Sequence, residues 1–287
     1  IPMKFLMNAL VLACLAVAAT AQAGGVDSER LAEVLAQQSE DTKARYAYRH
    51  PQQTLEFFGI EPGMLVVEAL PGQGWYSKIL LPYLGSEGQL IGADYSMDMY
   101  PLFGFFSEER LEKQSTWVQD FPEGASEWAG ENGACVAAFS FGTIPEHMKG
   151  VADAVLLIRA LHNLARFESE GGFMTAALTN VHDSLKPGGI VGVVQHEAPE
   201  NMPDEWAGGQ NGYLKKSFVI AKMEEFGFEY VGSSDVNQNG RDRPTESDAV
   251  WRLPPTLSTS RDNPELRAQM QAIGESNRMT LKFRKPE

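Results

Sequence analysis

The chain is poor in cysteine, with Cys14 and Cys135 alone among 287 residues. Cys14 lies in an N-terminal stretch that reads as a cleavable leader, so the mature chain would keep one thiol and no intramolecular disulfide. Its stability must come from packing. Positive charge is also scarce: 24 Lys and Arg face 38 Asp and Glu, for a formal net charge of −14. A nucleic-acid partner is not expected, because binding a phosphate backbone needs a basic stripe that this chain lacks. The longest apolar run, Phe5 to Ala19, is short for a membrane span and polar sequence follows it, so no stable membrane insertion is expected after processing. Internal repeats, low-complexity tracts and Cys/His clusters with metal-ligand spacing are absent, and no metal is expected.

Lys4, the apolar core after it and the small-residue end Ala21-Gln-Ala23 follow the grammar of a secretory signal peptide cleaved after Ala23. The expected organisation is a leader over 1–23, an N-terminal helical extension over 24–50, and one large α/β domain over 51–287. The expected destination is the periplasm.

What the chain does have is centred on Met64 to Tyr76. Leu65, Val66 and Val67 read as a strand buried on both faces, closed by Glu68, and Gly72 and Gly74 then turn the backbone into a helix from about Tyr76. Glycines there let a ligand approach the backbone near the N–H groups of the following helix. A second strand ends at Asp94, 20 residues beyond Gly74, which is the spacing expected of a ribose-binding acid. A nicotinamide dinucleotide is disfavoured, because Ser77 stands where its fingerprint places a third glycine.

Val66-Val-Glu-x-x-x-Gly-x-Gly, the acid closing the second strand, and Leu185-Lys-Pro-Gly-Gly-Ile-Val-Gly-Val-Val together resemble the class I S-adenosylmethionine-dependent methyltransferases. More narrowly, Pro71-Gly-x-Gly-Trp-Tyr, Arg159-x-Leu-His-Asn and the tail from Gly274 to Pro286 resemble a bacterial group of exported proteins assigned as methyltransferases. The resemblance spans about residues 45 to 286. It implies a Rossmann-like, seven-stranded, mostly parallel sheet in the order 3-2-1-4-5-7-6 with helices on both faces. It also implies S-adenosyl-L-methionine as cofactor, with Glu68, Gly72, Gly74, Trp75 and Asp94 as binding residues. The chain departs from the class pattern at Leu70, which replaces the first glycine of the loop, and Pro71 follows it.

A helix is expected over 27–40 with Leu31, Val34 and Leu35 on its buried stripe, and a shorter one over Gln52 to Phe58. Between them Tyr46, Tyr48, Arg49 and His50 are candidates for the mouth of the site. The aromatic stretch from Tyr95 to Phe106 reads as core or as a cover over an apolar substrate. Strands are expected at Ala134 to Phe139, Asp153 to Ile158, Ile190 to Gln195, Phe228 to Val236 and Met279 to Arg284, the last antiparallel.

Open parallel sheets bind ligands beyond the carboxyl ends of their strands, where the strand order reverses. The fourth strand delivers Arg159, His162 and Asn163 there. His162 is the candidate general base, with Arg159 and Asn163 as orienting donors. The fifth strand releases His196 and Glu197 at the same edge, and with Tyr48, Arg49 and Tyr213 they are candidate substrate contacts. The long connection from Asn237 to Pro255 is placed to reach over the substrate side.

The function these features favour is methyl transfer from S-adenosylmethionine to a small-molecule acceptor. Two alternatives stand beside it. One is a non-catalytic exported protein that binds an adenosyl metabolite. The other is a metal-assisted hydrolase or lyase built on His162, His196 and Glu197.

Overall fold

The computed structural model of the protein describes residues 25–287, so the leader over 1–23 lies outside the described residues. Eight strands form the sheet: β1 Leu65–Ala69, β2 Gln89–Asp94, β3 Cys135–Ser140, β4 Ala152–Ile158, β5 Leu185–Ala198, β6 Leu214–Lys215, β7 Glu229–Ser234 and β8 Arg278–Arg284. Their order is β3-β2-β1-β4-β5-β8-β7, with β6 paired to β5 off that path. The first five run parallel along it, and β8 is antiparallel to both β5 and β7. This is the Rossmann-like order anticipated from the sequence, with the two-residue β6 added. A strand of two residues has no periodicity to read.

Helices cover both faces: α1 Ser28–Ala36, α2 Pro51–Phe58, α3 Ser77–Leu84, α4 Trp117–Ala129, α5 Leu161–Arg166, α6 Phe173–Ser184, α7 Lys216–Glu225 and α8 Pro264–Ile273, with a further exposed helix over Glu108–Ser115 and shorter turns between. Residues alternate across each strand, so β1 feeds two cores at once. Val67 joins Val155, Val191 and Leu281 under α5, α6 and α7. Val66 joins Leu156, Leu80 and Phe58 under α1, α2 and α3. A strand apolar on both faces is what a sheet covered on both sides requires.

The N-terminal helix is shorter than expected. It ends at Ala36, and Ser39 caps a separate turn over Glu40–Lys43 by accepting the Thr42 N–H. Leu31, Val34 and Leu35 are nonetheless its buried residues. The fifth strand is longer than expected, running from Leu185 through Ala198 with a register irregularity opposite Ala152 and Ala154. His196 therefore belongs to the strand itself, paired with Arg278 of β8. Among the described residues no helix is long and apolar enough to cross a membrane.

Candidate active site

The loop after β1 takes its shape from three residues with positive φ: Leu70 (54°), Gly72 (57°) and Gly74 (74°). Leu70 holds that uncommon conformation while its N–H donates to the Ala93 carbonyl at 2.7 Å, which ties the loop to β2. The two glycines serve different ends. A Cβ on Gly72 would meet nothing nearer than the Leu70 carbonyl oxygen at 3.9 Å, so that face of the loop is open to a ligand. A Cβ on Gly74 would lie 2.1 Å from the Trp128 ring, so this glycine makes room for α4.

Glu68 is buried beneath the loop and accepts the Ser77 hydroxyl at 2.6 Å. Burial raises its pKa to about 7 against the opposing bond from Ser77. It pins the loop to the start of α3. Asp94 ends β2 and accepts the Tyr95 N–H at 2.8 Å. Burial pushes its carboxyl upward, opposed by the Tyr95 N–H and the Tyr100 hydroxyl. It has no cationic partner among the described residues, which leaves hydrogen-bonding capacity for a ligand. The Arg49 guanidinium lies over Trp75, 4.6 Å from the ring centroid, and the buried Trp75 indole N–H has no acceptor among the described residues.

Beyond the carboxyl ends of β1 and β4 lies a cavity of about 270 Å³. Leu70 and Tyr95 form one wall, Arg159 and His162 a second, His196 and Ser276 a third, and Val250 to Thr256 cover it. The long connection thus does reach over this side, as its length and position suggested. A more open groove of about 350 Å³ runs among Leu35, Tyr46, His50 and Gln52, away from the strand ends.

His162 enters from the first turn of α5. Its Nδ1 lies 3.3 Å from Gln195 Oε1, while the Gln195 amide nitrogen donates to the Gly212 carbonyl at 2.9 Å. With that nitrogen committed, Oε1 is an acceptor and His162 must carry its proton on Nδ1. Nε2 is left with a lone pair. Burial lowers the His162 pKa to about 4, so the ring is neutral near pH 7. His196 packs against it with ring centroids 5.4 Å apart, and its Nδ1 lies 2.5 Å from Ser276 Oγ. Burial, then His162 and Arg278, hold His196 well below the usual imidazole value.

Behind the histidines is a cluster of arginines. Glu275 binds Arg45, accepts from Arg49 Nε at 3.3 Å, and accepts from Arg278 Nη2 at 2.6 Å. Burial alone would raise the Glu275 carboxyl; Arg278, Arg49 and Arg45 together hold it below its ordinary value. Arg159 is the fourth member. Its backbone has φ of 57° and its N–H donates to the Val194 carbonyl at 2.6 Å.

The cavity therefore gathers Arg159, His162 and His196, three of the residues singled out from sequence. Arg49 stands behind it on Glu275, and Tyr48 packs against Gly274. Asn163 does not line the cavity itself but donates at 2.9 Å to the hydroxyl of Tyr95, which does. Tyr213 is fully buried next to His196, with its hydroxyl bonded to Asp242 at 2.9 Å and receiving Arg252 Nη1 at 2.9 Å. Glu197 accepts from Asn277 at 3.4 Å, and its charged neighbours are Lys216, Glu200 and Asp235 rather than the cavity arginines. Successive strand residues point to opposite faces, so with His196 against His162, Glu197 points away from both. Among the described residues no group of three His, Cys, Asp or Glu is placed to hold a metal ion.

Gln195, Glu275, Ser276, Arg278 and Trp251 were not anticipated as site residues. The tail motif around Gly274 was visible in the sequence, but nothing in its spacing indicated which side of the sheet it would meet.

No family model matches the chain, and no curated protein matches it in sequence. Solved structures do match. The [4+2]-cyclase SpnF aligns with a TM-score of 0.51 at 15% identity, over 99% of this chain and 94% of that one. A chain from the complex between the Haloferax volcanii Trm112 methyltransferase activator and a candidate methyltransferase aligns with a TM-score of 0.50 at 16% identity, over 93% and 100% of the two chains. A SAM-dependent methyltransferase from Aquifex aeolicus reaches 0.47 at 14% identity, over 72% and 93%. At these identities the likeness is one of fold, and that fold is the Rossmann-like sheet described above.

Proposed function

We propose that the protein transfers a methyl group from S-adenosylmethionine to a small-molecule acceptor, with His162 Nε2 as the proton acceptor. The observation that carries this reading is the joint position of two features at the sheet's carboxyl edge. One is an open glycine loop beside the unpaired carboxylate of Asp94, and the other is a cavity containing a histidine held in its Nδ1–H tautomer.

The residues present fit the cofactor. Asp94 offers a carboxylate for vicinal hydroxyls, Gly72 offers open backbone, and the buried Trp75 indole N–H still needs an acceptor. When bound, S-adenosylmethionine supplies an activated methyl group, so the protein is left with alignment, exclusion of water and removal of any proton on the acceptor. Exclusion of water falls to Trp251, Leu253 and the Pro254-Pro255 segment, which line the cavity with apolar surface. Proton removal falls to His162, whose orientation Gln195 sets. A base with a pKa of about 4 suits an acceptor that gives up its proton easily.

The narrower placement in an exported bacterial group, and with it a periplasmic destination, rests on the Lys4 to Ala23 pattern and the tail motif. N-terminal sequencing of the secreted protein tests it.

The deciding experiment for the cofactor is calorimetric titration with S-adenosylhomocysteine on the wild type and Asp94→Ala. Micromolar binding weakened by about 1–3 kcal/mol in the variant is expected from the loss of a charged acceptor. Absence of binding to the wild type would remove the methyl-transfer reading.

A further inference from the structure

In a chain whose net charge is −14, four arginines meet around one carboxylate. Three of them, Arg45, Arg49 and Arg278, bind Glu275 directly. The fourth, Arg159, borders the cavity, and its guanidinium has no hydrogen bond or ion pair among the described residues. Burial and the neighbouring Arg49 and Arg278 lower its pKa to about 9, with Glu275 and Tyr76 opposing. Of the other titratable groups lining the cavity, His162, His196 and Tyr95 are held neutral by burial, and the one carboxylate, Glu275, is already balanced by Arg45, Arg49 and Arg278. Arg159 is half-buried at the edge of the cavity, so its unused fork of donors is open to an anion that enters there, and the surrounding arginines favour such a pairing. The left-handed backbone of Arg159, uncommon for a non-glycine residue, shows that the chain tolerates local strain at this residue.

We propose that the cavity is an oxyanion subsite: the methyl acceptor is a small molecule bearing a carboxylate or phosphate that docks on the Arg159 guanidinium. The assignment of the ligand as acceptor rests on the methyl-transfer reading, whereas the oxyanion site itself does not. Arg recognises such groups through two parallel N–H donors in a planar fork. Ser276 Oγ and His196 line the same cavity and supply further polar contacts.

The cofactor's own carboxylate has the same chemistry, but two features favour the acceptor. Much of the cavity, from Val250 to Thr256 and at Glu275 and Ser276, is built from the C-terminal part of the chain rather than from the glycine loop. A sulfonium cation also gains from an anion placed between it and the arginines, since like charges repel strongly where water is excluded. The same anion would make His162 a stronger base, because a nearby negative charge favours the protonated ring.

The test uses the full chain, with oxalate and inorganic phosphate as probes, titrated calorimetrically with and without saturating S-adenosylhomocysteine. Binding of at least one probe in both conditions is expected. Arg159→Met should weaken it about tenfold or more and leave S-adenosylhomocysteine affinity unchanged. The His162 ring resonances should shift on adding the probe to the wild type and not to the variant.

No anion binding to the wild type overturns the proposal. So does Arg159→Met weakening S-adenosylhomocysteine while sparing 5′-methylthioadenosine, since Arg159 would then hold the cofactor's carboxylate. If a probe binds through Arg159 and S-adenosylhomocysteine does not bind at all, the oxyanion site stands and methyl transfer falls. Arg159→Lys keeps the charge and loses the fork, and guards against a folding defect in the Met variant. It should weaken the probe severalfold, and unchanged affinity in it counts against the subsite.

Discussion

His162 donates its Nδ1–H to Gln195 Oε1 across 3.3 Å, and that one contact decides which ring nitrogen faces the cavity. Gln195 is itself held by the Gly212 carbonyl and is fully buried. Gln195→Met keeps the approximate shape and removes both bonds. The expected outcome is a mixture of His162 tautomers in nitrogen-resolved NMR spectra, with a methyl-transfer rate at least tenfold lower. A destabilisation of about 1–3 kcal/mol should accompany it, because the Gly212 carbonyl loses its donor. An unchanged tautomer would show that something other than Gln195 orients the ring.

Acid should destabilise the protein through its buried histidines, against a smaller opposing contribution from Glu68, whose folded-state pKa is raised to about 7 by burial. The folded-state pKa of His162 is depressed to about 4, and that of His196 lies well below its ordinary value, both chiefly through burial. Unfolded histidines take up protons near pH 6.5 while the folded ones do not, so their contribution is full above that pH and is lost as pH falls towards 4. Each such histidine contributes a slope of about 1.4 kcal/mol per pH unit within that window. Urea unfolding at pH 7, 6 and 5 should show the fall, and His162→Gln should flatten it. A profile left unchanged by His162→Gln would mean that the ring is solvated.

Glu275 balances three arginines, so its removal should be severe. Glu275→Gln leaves Arg45, Arg49 and Arg278 without their shared carboxylate. Stranding buried charges costs about 3–5 kcal/mol, which denaturant unfolding would resolve readily. Added phosphate should recover part of that loss in the variant. A loss below about 1 kcal/mol would indicate that solvent reaches the cluster.

Gly74→Ala tests what the second loop glycine is for. Its φ of 74° and the 2.1 Å approach to Trp128 both oppose a Cβ. Destabilisation of roughly 1–3 kcal/mol is expected from overpacking and backbone strain together. Trp128→Ala combined with it should recover the packing share and leave the strain. If the double variant shows no recovery, the clash with α4 is not the reason for the glycine.

Much of the sheet was legible because its strands announce themselves chemically. Val66 and Val67 feed opposite cores, Asp94 closes β2 at the anticipated spacing, and the 3-2-1-4-5-7-6 order appears with only β6 added. The placement of Arg159, His162 and His196 at one edge was legible for the same reason, since the ends of parallel strands share an edge whatever lies between them. Asn163 and Glu197 depend on a rotation of one residue along a helix or a strand, and neither lines the cavity: Asn163 stands behind Tyr95, and Glu197 meets Asn277.

By itself, then, the sequence determined the alternation of strands and helices, the glycine turn after β1 and the presence of chemistry-bearing residues at strand ends. These follow from local periodicity and turn preferences, which act over a few residues. Only the tertiary structure decided that Arg45, Arg49, Arg159 and Arg278 would surround Glu275, and that Arg159 would be the one without a partner. Arg45 and Glu275 are 230 positions apart, and no local preference acts over such a distance. Their meeting comes from the antiparallel return of β8 beside β5, which carries the tail motif back to the ligand edge of the sheet.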